Sequence, residues 1–283
     1  MTNTSKVWFI TGASKGIGQI LAEALLADGH RVATTSRDKA SLEKSFAGGD
    51  GFLALETDLT DSASVKAAID ATVERFGSLD VVVNNAGYGQ QGTVEALSDA
   101  EYRRNFEVNV FAPLHVLRFA LPHMRRQRSG HIVNIASIVG IHGGYAGWSS
   151  YVATKFALAG LTESLAAEVA ELGIKATVVY PGPVRTDFLS TGSLAVAELS
   201  IDEYSEAKAS LDLHLNQLDG KQAGDPEKVA QLIIDAVAAP EPPLHLFAGT
   251  IANELAEAKI SGIRKDLDAW REASAATDFP EGQ

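Results

Sequence analysis

The chain has 283 residues, 46% hydrophobic and 21% charged with 25 glycines, an ordinary balance for a globular protein that excludes disordered and collagen-like classes. Its 24 basic and 36 acidic side chains leave a formal charge of -12, which sets it against phosphate backbones and anionic bilayers and argues against nucleic acid or a membrane as partner. Cysteine is absent, and with it disulfides, thiolate metal sites and a cysteine nucleophile.

The opening residues, MTNTSKVWFITG, carry a single short apolar run, too brief for a signal-peptide core or a membrane span, so a cytoplasmic protein is expected. Strand-like and helix-like patterns then alternate. VWFIT at 7–11 leads to a helix over about 16–28, RVATTS at 31–36 to a polar helix, and FLALE at 52–56 to a helix over 61–76. LDVVVNNAG at 79–87 precedes a long helix running through about Met124, and HIVNIAS at 131–137 precedes the helix that carries Tyr151. KATVVYPG at 175–182 and LHLFAG at 244–249 complete the strands. Seven apolar β segments separated by helices imply an α/β fold, with a parallel sheet covered on both faces. No repeat or Pro/Gly-rich linker marks a boundary, so 1–283 reads as one domain.

One interruption falls between YPG at 180–182 and the helix opened by Asp225 and Pro226, an N-cap with proline at N1. Within it Ser200 and Glu203 have capping-box spacing, and Tyr204, Ala207, Leu211, Leu215 and Leu218 form a helical stripe before Gly220. An inserted amphipathic helix over about 188–223, at the carboxyl end of a strand, is expected to form a substrate lid, with a plain packing element as the alternative. Beyond the last strand, Ile251, Leu255, Ala258, Ile263, Leu267 and Trp270 form a second stripe, a C-terminal helical extension over about 250–275.

ITGASKGIG follows the first strand and opens the first helix. Gly12, Gly16 and Gly18 there permit a tight turn and close approach of backbone to a pyrophosphate at the helix N-terminus, together with Ser14 and Ile17; a purely structural turn is the alternative. The second strand ends in Ser36 and Arg37 where an NAD site usually places an acid for the ribose 2′-hydroxyl. Lys15 and Arg37 are two cations suited to a 2′-phosphate, which favours NADP(H) over NAD(H); an Arg37 that merely faces solvent, with Asp38 capping the next helix, is the competing reading.

The motifs TGASKGIG (11–18), DL (58–59), NNAG (84–87), Asn109 in EVNVFAPL, Ser137 in NIASIVG, YVATK (151–155) and PGPVRTDF (181–188) stand in an order that strongly resembles the short-chain dehydrogenase/reductase family. The resemblance implies a Rossmann-like, doubly wound parallel sheet of seven strands, a nicotinamide cofactor, no metal, and a catalytic set of Asn109, Ser137, Tyr151 and Lys155. It further implies that Asp58 and Leu59 contact adenine, that Asn85, Ala86 and Gly87 line the ribose and nicotinamide region, and that Pro181, Gly182, Val184 and Thr186 hold the carboxamide end.

The chemistry of that set is coherent. Reducing a ketone requires a proton at oxygen, and a free phenol with pKa about 10 is poorly matched to neutral pH. Tyr151 and Lys155, one helical turn apart, address this: at about 4 Å and an effective dielectric near 20, the ammonium favours the phenolate by about 4 kcal/mol before solvation costs, an upper bound of about three pKa units. Lys155 is also expected to bond the nicotinamide ribose. Ser137, past a strand end, can donate to a developing oxyanion, with Ser149 and Ser150 as competitors. Pro113 lies four residues after Asn109 and has no N–H for its carbonyl, which is therefore expected to hold a water in a proton relay to Lys155 and Tyr151, unless it marks only a packing kink. His142, Tyr145, Trp148 and Phe188 are candidates for an apolar pocket taking a hydrophobic ketone or alcohol. A non-catalytic NADP(H)-binding sensor and a sugar epimerase are the other classes weighed, and a homodimer or a monomer is the expected assembly, since the C-terminal stripe can cover surface that relatives use for larger ones.

Overall fold

The computed structural model describes residues 5–46, 49–190 and 192–279. Seven strands form one parallel sheet: β1 (Val7–Thr11), β2 (Arg31–Ser36), β3 (Phe52–Glu56), β4 (Val81–Asn84), β6 (Gly130–Ile135), β7 (Ile174–Pro181) and β9 (His245–Ala248), in the spatial order β3-β2-β1-β4-β6-β7-β9. Chain order reverses between β1 and β4, and that reversal opens a crevice at the strands' carboxyl ends. Alternation along the strands feeds two cores. Trp8 and Ile10 point with Val81, Val83 and Val133 toward α1 (Gly16–Ala27) and α8 (Pro226–Ala238). Phe9, Val82 and Ile132 point the other way, toward α3 (Ser62–Phe76), α5 (Ala112–Gln127) and α6 (Ser149–Val169). The expected Rossmann-like sheet is therefore present, with strand bounds within three residues of those read from the pattern.

Three elements differ from expectation. The long helix before β6 is not uniform: α4 (Asp99–Phe106) passes through a π-helical turn, Glu107–Phe111, into α5. Pro113 has no N–H to offer the Asn109 carbonyl, and the ladder widens upstream of it, with the Ala112 N–H reaching back to the Glu107 carbonyl. Second, β5 (Gly89–Gln91) and β8 (Leu194–Val196) form a separate two-stranded parallel sheet. GQQ carries no apolar run, and LAV at three residues is too short to read as a strand. Third, the capping box expected at Ser200 and Glu203 is not formed: α7 starts at Ser205, its N-cap Tyr204 makes no side-chain capping bond, and the helix (Ser205–Asp212) runs into a π-helical segment, Leu213–Leu218. Of the predicted stripe Ala207 is buried and Tyr204 and Leu215 are exposed, because the inward face is rotated toward Ser210 and His214.

The cap expected for α8 is present, with Asp225 accepting from the Glu227 and Lys228 amides. Past β9, α9 (Thr250–Ala275) buries only Ala252 and Ala256 against the body, and the stripe beyond runs uncovered to Trp270, 70% exposed. No helix among the described residues is long and apolar enough to cross a membrane.

Candidate functional site

A cavity of about 1600 Å³ occupies the crevice at the carboxyl ends of the central strands. Its floor is the glycine turn. Gly12 and Gly16 have φ of +67° and +63°, and Lys15, extended at φ -163°, precedes α1 without a side-chain cap, which leaves the helix's first amides free for an anion. A Cβ on Gly12 would stand 2.8 Å from Ala86 Cα, and one on Gly18 would overlap Asn85 Nδ2, so these glycines admit the NNAG loop. That loop is bolted in place. Asn85 Nδ2 donates to the Thr11 and Gly12 carbonyls at 3.0 and 2.8 Å, and Thr11 Oγ1 accepts from the Asn85 and Ala86 amides, both at 3.0 Å. Gly18 itself lies behind the wall rather than on it, so its part is packing and not contact.

Opposite the glycine turn, α6 presents Tyr151 and Lys155 one turn apart, both buried. Trp148 and Phe188 enclose the Tyr151 ring, with centroids 6.2 and 5.7 Å away. Burial pushes the Tyr151 phenol well above its usual range, and a hydrogen bond with Ser137 pulls in the opposite direction. Burial also pushes Lys155 down to about 8. Lys155 Nζ donates to the Ile135 carbonyl at 2.9 Å and lies 5.7 Å from the centroid of the Tyr151 ring. The expected lowering of the phenol by the ammonium is therefore not found: desolvation of a fully enclosed hydroxyl outweighs a charge whose own proton is loosened by burial, and Tyr151 stands protonated.

Ser137 begins the turn Ile138–Gly140 just beyond β6, with its Oγ accepting from the Val139 amide at 3.3 Å. Asn109 does not reach the cavity. Its side chain lies behind the wall, where Nδ2 donates to the Tyr88 carbonyl at 2.9 Å and to Thr154 Oγ1 at 3.1 Å, while Oδ1 accepts from the Tyr88 amide at 3.0 Å. It thus ties the loop after NNAG to α6, one residue before Lys155.

Lys15 and Arg37 both line the cavity, but in different parts of it. Lys15 Nζ lies 3.9 Å from where a Cβ on Gly192 would stand, on the side of the segment after β7, whereas Arg37 acts with Arg104 on Asp58. The Asp58 carboxyl is held low chiefly by hydrogen bonds from the Thr60 hydroxyl and amide, with the two guanidinium groups as smaller causes. Asp38 also caps α2 (Lys39–Ser45), accepting from the Ser41 amide, as the competing reading of this stretch required. Ser14, Gly16, Ile17, Leu59, Gly87, Pro181, Gly182, Val184 and Thr186 all line the wall.

Of the substrate candidates, Tyr145, Trp148 and Phe188 line the cavity and His142 does not; its ring packs edge-on to Tyr145 at 5.7 Å, behind the wall. The histidine that does face the cavity is His214, 4.8 Å from Trp148, supplied by the inserted segment. Sequence reasoning passed over it because the π-helical turn shifts the inward face away from an α-helical stripe; the four-residue spacing of Ser210 and His214 was the available signal. The insertion is pinned by polar bonds: Trp148 Nε1 donates to Ser210 Oγ at 3.0 Å, Gln91 Nε2 to the Ala207 carbonyl at 3.2 Å, and Tyr204 Oη to Glu95 at 2.8 Å.

A doubly wound sheet with a glycine turn where strand order reverses, facing a serine, a tyrosine and a lysine across one crevice, defines the class of dinucleotide-binding oxidoreductases. The residues fit a dinucleotide: the glycine cradle, uncapped helix amides and polar wall lie along one cavity, and no cluster of metal-ligating side chains occurs among the described residues. A family model described as short chain dehydrogenase matches residues 6–194. The chain is 34% identical over 275 residues to Oxidoreductase BOA17 of Botryotinia fuckeliana, covering 96% of this chain and 99% of that protein. Among solved structures it is similar to a short-chain dehydrogenase from Streptomyces avermitilis, with 36% identity and a TM-score of 0.90 over 98% of this chain and 100% of that one. A 3-ketoacyl-(acyl-carrier-protein) reductase from Brucella melitensis complexed with NADH aligns at a TM-score of 0.70 and 27% identity, over 86% and 96% of the two chains. The chain belongs to the short-chain dehydrogenase/reductase family, oxidoreductases that act on CH–OH and C=O groups.

Proposed function

We propose that this protein is an NADP(H)-dependent carbonyl reductase, interconverting a hydrophobic ketone or aldehyde and its alcohol. The observation that carries this reading is the convergence of Ser137, Tyr151 and Lys155 on one wall of the cavity whose floor is the glycine turn. The cofactor, when bound, supplies or accepts the hydride. Ser137 donates to the substrate carbonyl oxygen, and Tyr151, protonated in its enclosed site, delivers its proton to that oxygen as charge develops there. Lys155, charged below about pH 8, steadies the phenolate left behind and bonds the cofactor's ribose. Asn109 holds the loop and α6 in register, and its main-chain carbonyl holds the water that returns a proton to Tyr151.

For the cofactor, Arg37 on the wall and the lack of an acid at the end of β2 support NADP(H), although the Brucella relative carries NADH. Fluorescence titration decides this: NADPH is expected to bind more tightly than NADH, and the reverse order refutes the assignment. Tyr145, Trp148, Phe188 and His214 give the substrate end of the cavity an aromatic wall, which supports a hydrophobic substrate beneath the inserted segment as lid. We place the protein in the cytoplasm as a homodimer, for which the uncovered stripe on α9 is the support and sedimentation of the intact chain the test.

A further inference from the structure

Gln222 lies on the return from the inserted segment to α8 and is only 5% exposed. Its backbone is locked. Arg185 Nε donates to the Gln222 carbonyl at 3.1 Å, the Arg185 amide donates to the Gly224 carbonyl at 2.9 Å, and the Gly224 amide donates to the Pro183 carbonyl at 2.8 Å, with Val184 and Gly224 forming a parallel bridge. The side chain stands in contrast. Its Oε1 is buried with no hydrogen-bond partner, and no described residue bonds its amide nitrogen. Buried polar groups are nearly always paired, and an unpaired one destabilises the fold that contains it. Trp8, Thr34 and Asn84 also carry such atoms, but away from the cavity; of the two described residues that carry one and line it, Thr35 stands on β2 and Gln222 on the return that bridges to Val184.

We propose that Gln222 is a cofactor-binding residue that hydrogen-bonds the carboxamide of the nicotinamide, an inference that rests on the NADP(H) reading above. A primary amide presents donors and acceptors together, and another primary amide satisfies both at once. A pyrophosphate only accepts, so it would leave Oε1 unpaired. A hydrocarbon substrate would satisfy neither atom. The locked backbone delivers the side chain in one place, so the pairing costs little ordering when the ring arrives.

The test compares wild type with Gln222→Leu and, as a second replacement of similar length, Gln222→Met, measuring dissociation constants for NADPH and for 2′-phospho-ADP-ribose, which lacks the nicotinamide. The unfolding midpoint of the ligand-free chain is measured alongside. Both variants are expected to bind NADPH at least about tenfold more weakly, through loss of the paired amide. They are expected to bind 2′-phospho-ADP-ribose as wild type does, and to unfold at the same or a higher midpoint, because a buried unpaired amide has been removed. Unchanged NADPH affinity, an equal loss for both ligands, or a lowered midpoint in both variants overturns the assignment and makes Gln222 structural. Failure of wild type to bind NADPH would instead overturn the cofactor reading on which it rests.

Discussion

At the scale of single residues the site sets two burial effects against each other. Enclosure raises Tyr151 and lowers Lys155, so near neutral pH the pair stands as phenol and ammonium, the state needed to give a proton to a carbonyl. Lys155 loses its charge as pH rises through about 8, and with it the stabilisation of the phenolate formed on proton delivery. The value of kcat/KM for ketone reduction is therefore expected to be flat at lower pH and to fall above about 8. A profile level through about pH 10, where a free lysine still holds its proton, would contradict this role. Tyr151, Lys155 and Ser137 were legible in the sequence because the chemistry demands those residue types at fixed places along the chain. The direction in which Tyr151 is shifted was not, since spacing on a helix reports the neighbouring charge and says nothing of how completely Trp148 and Phe188 enclose the ring.

At the scale of elements, polar side chains inside the sheet join strand to strand. His131 on β6 is buried and donates from Nε2 to Thr177 Oγ1 on β7 at 2.9 Å, an assignment that follows from the Thr177 hydroxyl donating its own proton to the Pro243 carbonyl at 2.7 Å. Burial, with the charges of Lys6 and Lys175, pushes His131 down to about 4. Above about pH 6.5 the ring is neutral both folded and unfolded; between there and about 4 only the unfolded chain takes up the proton, so stability falls as pH falls. Going from about pH 7.5 to about pH 5 is expected to cost about 2 kcal/mol through this group, and Gln at position 131 should reduce that loss. Urea unfolding of wild type and H131Q at both pH values checks it, and equal slopes with pH would exclude the effect. The seven main strands were legible because each carries an apolar run of strand length. The insertion was harder to read: β5 pairs three residues, GQQ, with a partner more than a hundred positions away, and α7 widens into a π-helical turn that rotates His214 inward. Local periodicity contains neither fact.

At the scale of the whole molecule, the sheet, both cores and the cavity are complete before the outer half of α9. The first turns of that helix matter to the site, since the Ala252 amide stands 3.3 Å from where a Cβ on Gly182 would be, behind the wall of the cavity. Beyond Ala256 the helix buries nothing against its own chain. Removing residues 259–283 is therefore expected to leave NADPH affinity unchanged while releasing the proposed dimer to monomers, as fluorescence titration and sedimentation would report. Loss of cofactor binding on that truncation would show that the extension takes part in the site. What the fold assembles is a cavity that brings the glycine turn and the Tyr151 hydroxyl together. The most direct measurement is single-turnover oxidation of bound NADPH by a hydrophobic ketone, in wild type and Tyr151→Phe. Wild type is expected to consume the cofactor, and the variant to bind NADPH equally well yet react on the order of 10² to 10⁴ times more slowly; a variant that turns over at the wild-type rate would contradict the assignment of Tyr151 as the proton donor.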